Sequence, residues 1–386
     1  MSAQELKVIN PYTEEVAFTL PMLSRGDLDP VVARARQAFR AWRKTPVAER
    51  VALCGRFAEA FESMRSTIAA DITAQMGKPL RQANNEINGL LERTRGMMAL
   101  AEATLADEWL PEKPGFARYI RHEPVGVVLD IAAWNYPLLI AVNVVVPPSL
   151  QGNAVILKHS SKTPRCVEAL RPRLPARRRH PRPGSVGGDG PRDHRGADPA
   201  SGIDRVSFTE ISRRRAADQP RRRRPLHRRG TGLGGKDPAY VCADADFDYA
   251  VENTVDGVFY NAGQSCCAVE RIYVERSIYE KFVEAFAAKT REYNVLGDPR
   301  GRRPRWGRWR PSAPGFWPAR SEEAVRKGGR LVVRPDEFSL PPTGWFCPPA
   351  VVADAPQDCS LMQEGFSPVR GHSGRGQRRG GHPLDE

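Results

Sequence analysis

The octapeptide Asn261-Ala262-Gly263-Gln264-Ser265-Cys266-Cys267-Ala268 sets two adjacent thiols behind small, turn-forming residues. Only the thiolate form of cysteine is a nucleophile, and backbone N–H groups at a tight turn can stabilise it. The stretch therefore predicts a nucleophilic thiol at the start of an apolar run, helical or buried. Buried cysteines also serve as small apolar fillers, so the stretch alone leaves both readings open. Asn135, in Ala133-Trp134-Asn135-Tyr136-Pro137, offers an uncharged amide donor for a developing oxyanion, or a turn residue that bonds its own backbone. Lys158, at the end of Ala154-Val155-Ile156-Leu157-Lys158, is either a cation for a cofactor's ribose or phosphate or a solvated strand terminus.

The elements that must position these residues alternate in the manner of an α/β protein. Residues 7–20 read as two short strands around a Pro11 turn, and Asp29-Pro30 reads as a helix N-cap followed by proline in the first turn. Three amphipathic helices are predicted over Val31–Arg43, Val47 to about Gln75 and Leu80 to about Leu105, with Gly77-Lys78-Pro79 stopping the second. From Arg118 the period becomes that of strands, over Tyr119–Pro124 and Val125–Ile131. The latter is apolar on both faces, as in a buried parallel sheet, where the loops at the carboxyl ends bind ligands. A helix to about Leu150 and the strand ending at Lys158 complete one strand–helix–strand unit.

Composition narrows the classes. The chain has 386 residues, 40% hydrophobic and 27% charged, which suits a soluble protein of two or three domains. Seven cysteines without a repeated CxxC spacing argue against a disulfide framework or a metal site and for a reducing cytoplasm. The start shows no secretory pattern, and the longest apolar region, Val125 to Leu150, is interrupted by Asp130, Asn135, Pro137, Asn143 and Pro147, so no membrane span is expected. A formal charge of +14 is unusual and raises nucleic-acid binding as an alternative.

Taken in order, four motifs resemble the NAD(P)-dependent aldehyde dehydrogenases: Trp134-Asn135-Tyr136-Pro137, Leu157 to Pro164, Leu233-Gly234-Gly235-Lys236-Asp237-Pro238, and Asn261 to Cys266. Gln363-Glu364-Gly365-Phe366-Ser367-Pro368-Val369 is similar to an altered copy of a fifth, the family's Glu-x-Phe-Gly-Pro-Val. The likeness covers most of 1–170 and 231–299, and 321–369 in patches. It implies a Rossmann-like cofactor domain over 1–117 and 132–231, an oligomerisation hairpin remnant over 118–131, and an α/β catalytic domain over 232–386 that is C-terminally truncated. It further implies that Cys266 attacks an aldehyde, with the Asn135 amide and the Cys266 N–H holding the oxyanion. Trp134, Lys158, Ser161, Glu364 and Phe366 would contact the cofactor. Ser161 stands where NAD-preferring members carry a glutamate, which leaves NAD or NADP open.

Departures from the pattern are concentrated. The family's water-activating glutamate immediately precedes Leu-Gly-Gly-Lys, and here that residue is Gly232, which has no base to offer. After Val206-Ser207-Phe208-Thr209 the family's glycine and serine, whose N–H groups hold pyrophosphate, are replaced by Glu210 and Ile211. The resemblance thus implies an aldehyde dehydrogenase with crippled deacylation, or a dead scaffold of the same fold. With the family's C-terminal strand missing, the hairpin near Tyr119 to Val128 would keep an exposed edge, so a family-type homo-oligomer is not expected and aggregation is.

Residues 171–229 hold eighteen arginines, no lysine and six acidic residues, a net +12 that accounts for nearly all of the chain's charge. Patches at 300–320 and 370–386 share the arginine, proline and glycine bias. A nucleic-acid segment normally mixes in lysine and interleaved aromatics, and the first block has Phe208 alone. The composition is that of GC-rich coding DNA read out of frame, with family-like islands at Ile203–Thr209 and Glu322–Val333. Reading the coding DNA in all three frames is expected to restore a glycine–serine pair after Thr209, a glutamate at the place of Gly232 and a C-terminal continuation. Their absence from every frame makes the basic block genuine.

Overall fold

In a computed structural model of the chain, residues 5–170, 185–186, 202–210, 228–301, 316–366 and 368–375 are described. Most of the 171–229 block, most of the 300–320 patch and the end of the tail lie outside them. The chain forms two units, Met1–Asn10 with Glu15–Gln75 and Leu80–Leu233, and Pro11–Glu14 with Met76–Pro79 and Gly234–Glu386. Among the described residues no helix is long and apolar enough to cross a membrane.

The first unit begins with the antiparallel strands β1 (Glu5–Ile9) and β2 (Val16–Leu23), in which buried Val8 faces Phe18. Helix α1 (Leu28–Trp42) starts before the predicted Asp29-Pro30 cap. The Asp27 carboxylate takes the Ser24 N–H and hydroxyl at 2.8 and 2.6 Å, which folds the entry turn earlier and leaves Pro30 in the first turn, where its missing N–H costs nothing. The long second helix divides into α2 (Val47–Glu62) and α3 (Arg65–Met76). Ser63 Oγ turns back onto the Ala60 carbonyl at 2.8 Å, and Arg65 pairs with Glu62 at 2.7 Å across the break. Helix α4 runs over Leu80–Leu105 as predicted. Spacing of three and four residues puts Cys54, Phe57, Ala58 and Phe61 of α2 and Ala83, Ile87, Leu90 and Leu91 of α4 on buried stripes.

Strands β3 (Glu108–Trp109) and β4 (Tyr119–Ile120) pair antiparallel. The expected hairpin from Tyr119 to Val128 is therefore not formed: Tyr119–Ile120 pairs backwards along the chain, while β5 (Val127–Ala132) enters a parallel sheet with α5 (Pro137–Leu150) following it. That sheet has the order β6 (Ala154–His159), β5, β8 (Arg205–Glu210), β9 (Arg228–Leu233), while β7 (Ser185–Val186) pairs with β2. Between β6 and β7 lies the short helix α6 (Arg165–Leu170). Gly126 fixes where β5 begins. Its φ of +130° and the 1.9 Å approach of Asp204 Oδ2 to any added Cβ require glycine, and the Asp204 carboxylate takes the Val127 N–H at 2.6 Å.

The second unit holds a five-stranded sheet of order β10 (Asp237–Val241), β11 (Val269–Glu275), β14 (Val369–Arg375), β13 (Ala350–Ala353), β12 (Arg330–Val333), antiparallel only between β12 and β13. Helices α7 (Phe247–Phe259) and α8 (Tyr279–Tyr293) bury Phe259, Phe282 and Phe286 against Ile272, Val274 and Val351, and α9 (Phe316–Arg326) precedes β12. Asp246 caps α7 by accepting the Tyr249 N–H at 3.1 Å.

Asp130 breaks the apolar run of β5. It is fully buried opposite Leu157 and Ser207, and neither carboxylate oxygen has a hydrogen-bond partner among the described residues. Burial pushes its pKa up to about 8. Between the unfolded value of about 4 and that folded value the native chain holds a proton that the unfolded chain releases. This contribution to stability is full below pH about 4 and is lost as pH rises to about 8. Urea unfolding across that range should show a decline of about 3–5 kcal/mol in the native chain. Asp130→Val, of similar volume, should abolish it and be the more stable protein at the alkaline end; equal pH profiles would refute the assignment.

Candidate active site

Three consecutive left-handed residues set up the thiol turn. Asn261, Ala262 and Gly263 have φ of 53°, 59° and 66°, and all three are buried. Left-handed backbone costs a non-glycine L-residue about 1–2 kcal/mol. Reciprocal side-chain amides hold it: Asn261 Nδ2 donates to the Gln264 carbonyl at 3.1 Å, and Gln264 Nε2 to the Asn261 carbonyl at 3.0 Å. Both amides are inaccessible to solvent, whereas Cys266 and Cys267 are exposed. The turn leads into β11, where Ile272, Tyr273 and Val274 are buried, so of the two expectations for the run after Cys266 it is the buried one and not the helical one that the structure shows. No helix N-terminus faces this thiol from its own segment.

The two thiols form a hydrogen-bonded pair. The Cys266 S–H and the Ser265 hydroxyl, 3.4 Å away, both donate to Cys267 Sγ and push the Cys267 pKa down to about 5. The same contact, with burial, pushes Cys266 up. The contact thus favours a thiolate on Cys267 over one on Cys266.

Two further segments of the same unit close on this turn. Lys236 Nζ and Glu270 Oε2 lie 2.9 Å apart with side chains only 9% and 2% exposed, and Glu270 Oε2 also accepts the Gly365 N–H at 2.8 Å. Gly234 lies between the Glu364 carboxylate and the thiol turn: a methyl group there would stand 2.5 Å from Glu364 Oε1 and 4.0 Å from the Cys266 Cα. Cys266, Glu364 and the Gly234–Lys236 segment are thus assembled together, with half-buried Phe366 following Glu364.

The other candidates belong to the first unit. Asn135 is buried in the loop between β5 and α5, with Trp134 beside it half-buried. Lys158 stands opposite Ile131 at the carboxyl end of β6, and Ser161 follows in the next loop. Lys162 Nζ lies 4.1 Å from the Trp134 ring centre, so the two loops touch. His159, buried and pushed down to about 4 by that burial, is neutral. Its Nδ1 accepts the Ser160 N–H at 3.0 Å, so the proton is on Nε2, which donates to the Pro137 carbonyl at 2.9 Å. Glu86 Oε1 accepts the Leu138 and Leu139 N–H groups at 2.8 and 3.3 Å, fixing the start of α5.

A sequence profile described as the Aldehyde dehydrogenase family matches residues 1–370. The chain belongs to the aldehyde dehydrogenase family. It is 33% identical over 308 residues to Retinal dehydrogenase 2 of Mus musculus, covering 77% of this chain and 58% of that protein. An NAD-dependent aldehyde dehydrogenase from Sinorhizobium meliloti has a similar structure, with TM-score 0.87, 28% identity and coverage of 97% of this chain and 75% of that one. Betaine aldehyde dehydrogenase from Staphylococcus aureus in complex with NAD+ gives 0.84, 26%, 97% and 75% respectively. This aldehyde dehydrogenase chain thus spans under two thirds of the length of Retinal dehydrogenase 2.

For a dinucleotide the residues fit at one end only. Lys158, Ser161 and Trp134 of the first unit cluster at the strand ends. At the pyrophosphate end β8 continues as paired strand through Glu210, opposite Leu233, where a glycine and a helix start are required. The fit fails there.

Sequence reasoning missed Cys267, Glu270 and His159. Adjacency to Cys266 was the available signal for the first; the other two act through contacts that no spacing announces. Native iodoacetamide labelling read by peptide mass spectrometry should modify Cys267 preferentially at pH about 6, where its thiolate already exists. In Cys267→Ser, labelling should move to Cys266 and rise only above pH about 8. Equal labelling of both sulfurs at the lower pH contradicts the pair's assignment.

Proposed function

We propose that this chain oxidises an aldehyde to a carboxylic acid through a thioester on Cys266, with NAD or NADP as the hydride acceptor. The observation that carries the reading is the clamped left-handed turn that exposes Cys266. The Cys266 proton leaves to solvent at the exposed turn, and the freed sulfur adds to the carbonyl carbon as the C–O π pair moves onto oxygen. The Cys266 N–H is the local oxyanion donor, and Asn135 is retained as the amide donor that the family resemblance assigns. When bound, the nicotinamide takes up the hydride whose loss leaves a thioester. Gly232 cannot activate water, so release of the acid is the impaired step.

The nucleic-acid alternative rests on residues 171–229, most of which lie outside the described residues, and no described geometry favours it. Incubating the full chain with hexanal and millimolar NAD+ or NADP+ should add one acyl group to the Cys266 peptide, seen by mass spectrometry. Cys266→Ala should carry none. Aldehyde turnover that persists unchanged in Cys266→Ala would sink the reading.

A further inference from the structure

We infer that Glu364 is the base that frees the acyl group from Cys266 in this chain. The inference rests on the thioester reading above and addresses the step that Gly232 leaves without a base. Glu364 is half-buried, and its carboxylate makes no hydrogen bond or ion pair among the described residues. One point beside Gly234 is 2.5 Å from Glu364 Oε1 and 4.0 Å from the Cys266 Cα, so the carboxylate oxygen is no farther from the Cys266 backbone than those two distances joined end to end. A carboxylate that near the Cys266 backbone is in the neighbourhood where a base must hold a water for an acyl group on that residue. The segment carrying Glu364 is held on both sides. Gly365 donates its N–H to Glu270 at 2.8 Å, and the buried Arg320 guanidinium donates to the carbonyls of Gln363 and Glu364 at 3.3 and 3.1 Å.

The step balances within the site. Glu364 takes one proton from water as its oxygen bonds to the thioester carbon; the C–S bond then breaks, and that proton passes to the departing Cys266 sulfur. Thioester and water become carboxylic acid and thiol, and no electron acceptor is needed. Gly234 is part of the device, because a side chain there would occupy the place of the carboxylate oxygen.

An ester substrate isolates this step from the cofactor. With p-nitrophenyl acetate the full chain should release a burst of one nitrophenolate per thiol site, then a slower steady phase set by deacylation. Glu364→Gln should keep the burst amplitude and slow the steady phase by about 100-fold. Gly234→Ala, which retains the carboxylate but displaces it, should slow the same phase, and Gly232→Glu placed on Glu364→Gln should recover it. If Glu364 only contacts a ribose, Glu364→Gln leaves ester turnover unchanged, and the inference is overturned. A burst that is absent, or that survives in Cys266→Ala, instead overturns the thioester reading itself.

Discussion

Everything around the thiol depends on one buried charge. Glu270 is 2% exposed, and taking a carboxylate that far from water costs several kcal/mol unless its lone pairs are met. Lys236 meets it with opposite charge and the Gly365 N–H meets it with a dipole. Because the three partners come from the Gly234–Lys236 segment, the strand after the thiol turn and the segment of Glu364, satisfying one carboxylate fixes three distant pieces of chain. Such a pair adds little net stability over apolar replacements, yet loss of one partner strands the other and costs about 3–5 kcal/mol. Its value is positional.

The thiol turn carries its own tension. Asn tolerates left-handed backbone and Gly adopts it freely, but Ala262 is the residue for which the conformation is plainly unfavourable. Strain of this kind persists only where the surroundings over-determine it. Here the burial of Ala262 and the reciprocal Asn261 and Gln264 amides do so. The turn therefore cannot relax by swinging the cysteines inward, and two thiols stay exposed on a rigid, buried support.

What could be read from the sequence was what local pattern determines. Helix α4 is bounded by Pro79 and carries its apolar residues at helical spacing, so both of its ends were legible. A strand apolar on both faces announced the parallel sheet, and the Gly-Gln-x-Cys order announced the thiol. The break at Ser63 was not legible, because a hydroxyl folding back on a carbonyl leaves no mark on the periodicity. The hairpin expected at 118–128 failed for a related reason: pairing partners are chosen across space, and β5 finds β6 and β8 while β4 finds β3. Asp130 looked like an interruption of an apolar run and is instead a neutral acid within it.

Asp204 ties a segment within the arginine-rich block to the first unit's sheet. It sits in the island Ile203–Thr209, and its carboxylate receives Val127 N–H and both arms of the Arg36 guanidinium, at 2.6, 2.7 and 2.7 Å. Asp204 in turn donates its own N–H to the Val127 carbonyl at 2.9 Å. That geometry requires an aspartate immediately before β8, a glycine of positive φ at Gly126 and an arginine on α1. The pairing of β8 with β5 thus fixes this short segment in the parallel sheet of the first unit.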